Sequence, residues 1–170
     1  MEITTIKPFL DYFERIRGRT LKVVRCIPSE RIDWTYKEGK FTFADIIRHL
    51  AATERYMYAE NVLLRPSLYP GHGKELADGF DAVLEFMERM HAEAMEIFSR
   101  LSDDDLKRRC RTPGGAEIAT WKWLRAMIEH EIHHRGQLYL YLGLLDVSTP
   151  PIYGLTSEEV KARSEKPFPS

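Results

Sequence analysis

ELADGFDAVLEFMERMHAEAMEIFSRL, residues 75–101, is the stretch that decides the fold. Within it Leu76, Phe80, Val83, Met87, Met90, Ala94, Ile97 and Leu101 recur at alternating steps of four and three. That is the period of a helix with one apolar face, sustained over more turns than an isolated amphipathic segment needs. The spacing predicts a helix over 75–101 that packs in a bundle.

Working outward, the segment before it holds Pro66, Pro70, Gly71 and Gly73, which cannot continue a helix. Upstream of that break, Thr42 followed by Asp45 has the form of a capping box, and a helix is expected over 42–64. Projected at 100° per residue, Ile46, His49, Ala52, Thr53, Tyr56, Leu63 and Leu64 share one side, so His49 faces inward. Phe9, Phe13, Ile16, Thr20, Val23 and Val24 give another helical stripe over 5–26, which Pro28 stops. An irregular crossing with Trp34, Tyr36 and Gly39 joins the two.

Downstream, Pro113-Gly114-Gly115 between short flanks in 107–119 predicts a small β-hairpin. A last long helix is expected over 120–145, with Trp123, Met127, Leu138, Tyr141 and Leu145 on one side and Trp121, Ile128, Ile132 and Tyr139 opposite. Two apolar sides require two partners, the bundle and either a second subunit or the C-terminal segment folded back. In the proline-rich tail, 146–170, Thr156 and Glu159 predict a short capped helix ending near Arg163, with fraying from Ser164 onward. These elements make an all-α four-helix domain spanning 1–170, with a small hairpin before the last helix.

Composition excludes several functions. The 25 Lys and Arg balance 26 Asp and Glu with no basic run, so no nucleic-acid partner is expected. No apolar run of about 18 residues and no leader pattern is present, so the expectation is a cytoplasmic protein without membrane contact. Cys26 and Cys110 lack metal-binding or disulfide spacing and read as packing residues.

The chemistry concentrates in Glu129-His130-Glu131-Ile132-His133-His134. His130 and His134, four residues apart, leave one helix face together and form half of a metal site; the inward His49 supplies a third nitrogen. Three neutral imidazoles leave a coordination position open, whereas a structural zinc site is normally closed by four protein ligands. Glu131 is the candidate general base, and Asp45 either caps its helix or orients His49. His91 reads as a core histidine rather than a fourth ligand, and His72 and His133 as surface residues. The same stretch matches His-Glu-x-x-His, a zinc-protease motif, but lacks the downstream ligand and the edge strand that such proteases use.

Thr42-Phe43-Ala44-Asp45-Ile46-Ile47-Arg48-His49-Leu50 with Glu54, and Glu129–Gln137 followed by Leu138–Leu145 and Pro151-Ile152-Tyr153-Gly154, resemble the second and last helices of the DinB/YfiT-like metal-binding bundles. The resemblance covers essentially the whole chain. It implies an up-down-down-up bundle with His49, His130 and His134 as the metal triad, often in a homodimer. It further implies thiol-dependent transferase or isomerase chemistry in those members with an assigned reaction. The expected cofactor is one divalent ion, zinc or nickel ahead of iron or manganese. The expected cosubstrate is a low-molecular-weight thiol, or water. A non-catalytic, stress-related metal-binding dimer is the alternative.

Overall fold

Thr42 begins the central helix as expected: its hydroxyl accepts from Asp45 N at 3.0 Å, and the Asp45 carboxylate takes Thr42 N at 2.9 Å. This reciprocal cap satisfies two backbone donors that a helix start leaves orphaned. The computed structural model describes residues 2–165. It contains α1 (Ile6–Val24), α2 (Phe43–Thr53), a π-helical turn (Glu54–Tyr58), α3 (Ala59–Val62), α4 (Phe80–Ser99), strands β1 (Arg109–Arg111) and β2 (Glu117–Ala119), α5 (Thr120–Leu144) and α6 (Ser157–Ser164). The architecture is a mostly helical bundle with one antiparallel hairpin, in which Arg109 pairs with Ala119 and Arg111 with Glu117.

Several boundaries differ from the sequence reading. α4 starts at Phe80 rather than at 75, because Gly79 adopts φ +83°, outside the right-handed helical region. Leu76 continues the apolar spacing but packs on the core from a turn. The helical run from Phe43 ends at Val62, and Leu64 turns away at φ +62°. It also contains the π-turn that periodicity did not reveal; Ala59 N bonds Glu54 O five residues back. α6 has its expected capping box and extends to Ser164; residues 166–170 of the expected frayed tail lie outside the described residues.

The core falls into two apolar clusters. One gathers Val23, Ile46, Ile47, Met87, Leu138 and Leu142; the other gathers Phe13, Ile16, Tyr58, Phe98, Leu124 and Met127. Each fully buried side chain of this size contributes roughly 1.5–3 kcal/mol, less the entropy of fixing it. Between the clusters every long helix carries buried polar residues: Arg17 and Thr20 on α1, Glu54 at the π-turn, His91 on α4, and Glu131, His134 and Arg135 on α5. A polar layer therefore crosses the bundle at mid-height, and the three expected metal ligands lie on the same stretches of α2 and α5. No described helix is long and apolar enough to cross a membrane.

Candidate metal centre

His49 leaves the middle of α2, and His130 and His134 leave α5 one turn apart. The structure brings the three rings together: His130 Nε2 lies 3.0 Å from His49 Nε2 and 3.0 Å from His134 Nε2. The three donor atoms all fall within 4.8 Å of one another. This is the only such group of three or more metal-ligating side chains among the described residues.

The outer nitrogens set the tautomers. His134 Nδ1 lies 2.6 Å from Gln137 Oε1, an acceptor, so Nδ1 carries the proton and Nε2 keeps its lone pair. His49 Nδ1 lies 2.8 Å from the Tyr69 hydroxyl, which is itself 3.3 Å from His72 Nδ1. The consistent assignment is a relay in which His49 donates to Tyr69 and Tyr69 donates to His72, again leaving His49 Nε2 unprotonated. Burial, reinforced by the neighbouring imidazoles, pushes His49 down to about 3 and His130 down to about 4; burial also lowers His134. The Nε2 lone pairs of His49 and His134 thus both point at His130 Nε2, 3.0 Å from each, and with His130 Nε2 unprotonated as well a cation could take all three. The donor set thus fits a divalent ion held by three neutral imidazoles, with room for a further ligand.

The loop over the site is fastened by a residue that sequence reasoning did not single out. Arg48, 1% exposed, donates from Nε to His72 O at 2.7 Å, from Nη1 to Ala77 O at 2.9 Å and from Nη2 to Asp45 Oδ1 at 2.7 Å. Leu68 N donates to Tyr56 O, in the π-turn, at 2.7 Å. Together these anchors deliver Tyr69 to His49. Asp45 therefore acts as cap and Arg48 partner, while Tyr69 orients His49. His72, expected at the surface, is half-buried against Phe41, with ring centroids 4.2 Å apart. His133 is exposed as expected.

Glu131, the expected general base, is 3% exposed, and both of its oxygens are engaged toward α1. Thr20 Oγ1 donates to Oε1 at 2.6 Å, and Arg17 Nη2 lies 3.1 Å from Oε2. Arg17 also pairs with Glu54, whose other oxygen lies 2.7 Å from His91 Nδ1. His91 is thus a buried partner of this ionic group. Periodicity places Glu131 beside the ligands in sequence but cannot tell that the carboxylate swings toward an arginine on another helix.

Beside His134 a hollow of about 460 Å³ opens to solvent, lined by Tyr36, Phe41, Gln137, Tyr141 and Leu144 among others. Larger hollows lie elsewhere, one of about 710 Å³ against the hairpin and one of about 660 Å³ along α1. Of these three, the smallest is the one that a metal-ligand candidate lines, through His134 alone. Both cysteines are free, and burial pushes both thiols up, which leaves neither poised as a thiolate.

Residues 12–138 match the sequence model of the DinB superfamily. The chain belongs to the DinB superfamily. A relative from Oceanobacillus iheyensis, named "Putative metal-dependent hydrolase OB0782", is 24% identical over 149 residues, spanning 81% of this chain and 87% of the relative. Among solved structures, a DinB-like protein from Bacillus cereus superposes with a TM-score of 0.73 at 18% identity, covering 87% of this chain and 97% of that one. A mycothiol-dependent maleylpyruvate isomerase superposes at 0.58 and 19% identity, covering 80% of this DinB chain and 63% of the isomerase. At these identities the structural likeness establishes a shared fold.

Proposed function

We propose that this protein is a metal-dependent enzyme whose His49, His130 and His134 hold one divalent ion, zinc or nickel, and that it uses a low-molecular-weight thiol as nucleophile in a transferase-type reaction. The observation that carries this reading is the convergence of three Nε2 atoms with their outer nitrogens held by Tyr69 and Gln137. When bound, such an ion supplies Lewis acidity that lowers the pKa of a thiol or water enough to yield a nucleophile near neutral pH. Tyr69 and Gln137 keep two ligands in the tautomer that presents a lone pair. The hollow beside His134 admits a small molecule, and Tyr36, Phe41 and Tyr141 give it an apolar wall. With Cys26 half-buried, Cys110 buried and neither part of the histidine group, the thiol comes with a cosubstrate. The mycothiol dependence named for the isomerase neighbour supports this nucleophile.

A second reading, hydrolysis with water as nucleophile, is favoured by the name of the Oceanobacillus relative. Peptide hydrolysis is the poorest fit, since the glutamate of His-Glu-x-x-His is engaged with Thr20 and Arg17. The up-down-down-up order belongs to the same proposal. It is supported by the sequence of apolar clusters, which α1 and α5 cross in one direction and α2 and α4 in the other. A homodimer cytoplasmic in location completes it, with Ile132, Leu140 and Leu144 as exposed apolar residues of α5 for a second subunit to cover.

Titrating cobalt-substituted protein with a panel of cysteine-derived thiols separates these readings. Shifted visible bands with at least one thiol support the transferase. An unchanged spectrum with every thiol, together with turnover of activated esters, replaces it by the hydrolase; neither response leaves a non-catalytic metal protein. Casein cleavage would reinstate the protease.

A further inference from the structure

The exposed face of the hairpin carries a second concentration of chemistry. Arg109 and Arg111 alternate with the buried Cys110, so both side chains leave the same face of β1. That face and the chain just past α3 enclose the hollow of about 710 Å³, which Arg65, Arg109 and Arg111 all line. Three guanidinium groups on one concavity are weakly offset. Glu117, which also lines the hollow, lies 3.8 Å from Arg109 Nε, and Arg109 Nη2 donates to Glu117 O; Glu60 lies 3.8 Å from Arg65 Nη1 but is already paired with Arg55 at 2.7 Å. Arg111 has no carboxylate within 4.0 Å among the described residues.

A second observation points to a ligand there. Asn61, 1% exposed, lines the same hollow; its Nδ2 donates to Arg65 O at 3.0 Å, but its Oδ1 is buried with no donor among the described residues. A buried amide oxygen without a partner is costly, and a ligand hydroxyl or water can satisfy it. Ser67 and Thr112 add hydroxyls to the lining. Leu64, at the lip, holds φ +62°, a strained conformation for leucine.

We infer that this hollow is an anion site, separate from the histidines, for a small phosphorylated molecule that also carries a hydroxyl group: Arg65, Arg109 and Arg111 receive the phosphate, and Asn61 Oδ1 accepts from the hydroxyl. Arginine forks match phosphate oxygens, and the volume suits a metabolite-sized ligand. Asn61 lies twelve residues beyond His49, roughly 18 Å along the helical run. The inference does not depend on the proposed reaction.

Calorimetric titration of the metal-loaded protein with glycerol 3-phosphate, methyl phosphate and glycerol tests it. Glycerol 3-phosphate is expected to bind saturably, methyl phosphate about fivefold more weakly for want of the hydroxyl, and glycerol not at all. Arg111→Met and Arg65→Met, both at exposed positions, are expected to weaken glycerol 3-phosphate by about tenfold or more, while His130→Ala leaves it unchanged. Absence of saturable binding, binding indifferent to both arginine variants, or binding lost in His130→Ala but kept in Arg111→Met would overturn the site. Equal binding of the two phosphates would overturn the role of Asn61.

Discussion

Replacing Arg17 by Met removes a guanidinium that faces two buried carboxylates, Glu54 and Glu131. Arg17, Glu54 and Glu131 have side chains only 2–4% exposed, and Arg17 contacts both acids. Methionine fills a similar volume, so the change is mainly electrostatic. Breaking a buried ion pair from one side costs about 3–5 kcal/mol, because the partner charge stays buried without compensation. One structural detail favours the lower end of that range. Arg17 Nε and Nη1 have no acceptor among the described residues, so the guanidinium is incompletely hydrogen-bonded in the wild type. The expected loss is about 3 kcal/mol at pH 7.5, out of the roughly 5–15 kcal/mol that stabilises a domain. At roughly 2–4 °C per kcal/mol for this chain length, Tm falls by about 10 °C. The pH dependence has a definite sign. Burial, partly countered by Arg17, raises Glu131 above its ordinary 4.5, and without Arg17 it rises further. A carboxyl raised in the folded state destabilises as pH climbs past its unfolded value, so the deficit is largest at pH 7.5 and shrinks toward pH 4.5. Urea unfolding followed by circular dichroism at pH 7.5 and 5 measures both effects. Adding Glu131→Gln to Arg17→Met should recover part of the loss. A deficit below about 1 kcal/mol at pH 7.5, or one that grows on acidification, would refute the reasoning.

Three smaller perturbations follow from the same contacts. Tyr69→Phe removes the partner of His49 Nδ1 and should weaken metal affinity by about 10- to 100-fold in competition with a chromophoric chelator, without changing stoichiometry. Metal-free protein should lose stability as pH falls from about 6.5 toward 4, because the unfolded imidazoles gain protons that folded His49 and His130 resist; the slope of urea midpoint against pH should flatten in His49→Gln. Gly79→Ala should cost about 1–3 kcal/mol by thermal melting through backbone strain alone, since φ +83° with ψ 161° is a region open essentially to glycine and no described atom lies within 4 Å of an added Cβ.

The helical periods read over 5–26, 42–64 and 75–101 and the i,i+4 spacing of His130 and His134 are local signals; they locate the four long helical segments to within a few residues at each end, and the three histidines do come together. What escaped the sequence depends on contacts between distant segments. Arg17 sits next to Ile16 in a helical stripe, and nothing local says that it turns inward to meet Glu54 and Glu131. Tyr69 lies in a loop of prolines and glycines whose path is set by Arg48 and by Tyr56 O in the π-turn. Gln137 was within reach, being three residues after His134 on one helix face. Leu76 shows the reverse error: its spacing is helical, but Gly79 ends the helix before reaching it.

The central claim is that His49, on α2, joins His130 and His134, on α5, around one ion. Elemental analysis of untagged protein purified without chelator, wild type beside His49→Ala, tests it most directly. The account predicts about one zinc or nickel ion per wild-type chain and at least a tenfold lower content in the variant at preserved helical content. Equal metal content in the two proteins, or none in the wild type even after loading with zinc and nickel, would contradict it.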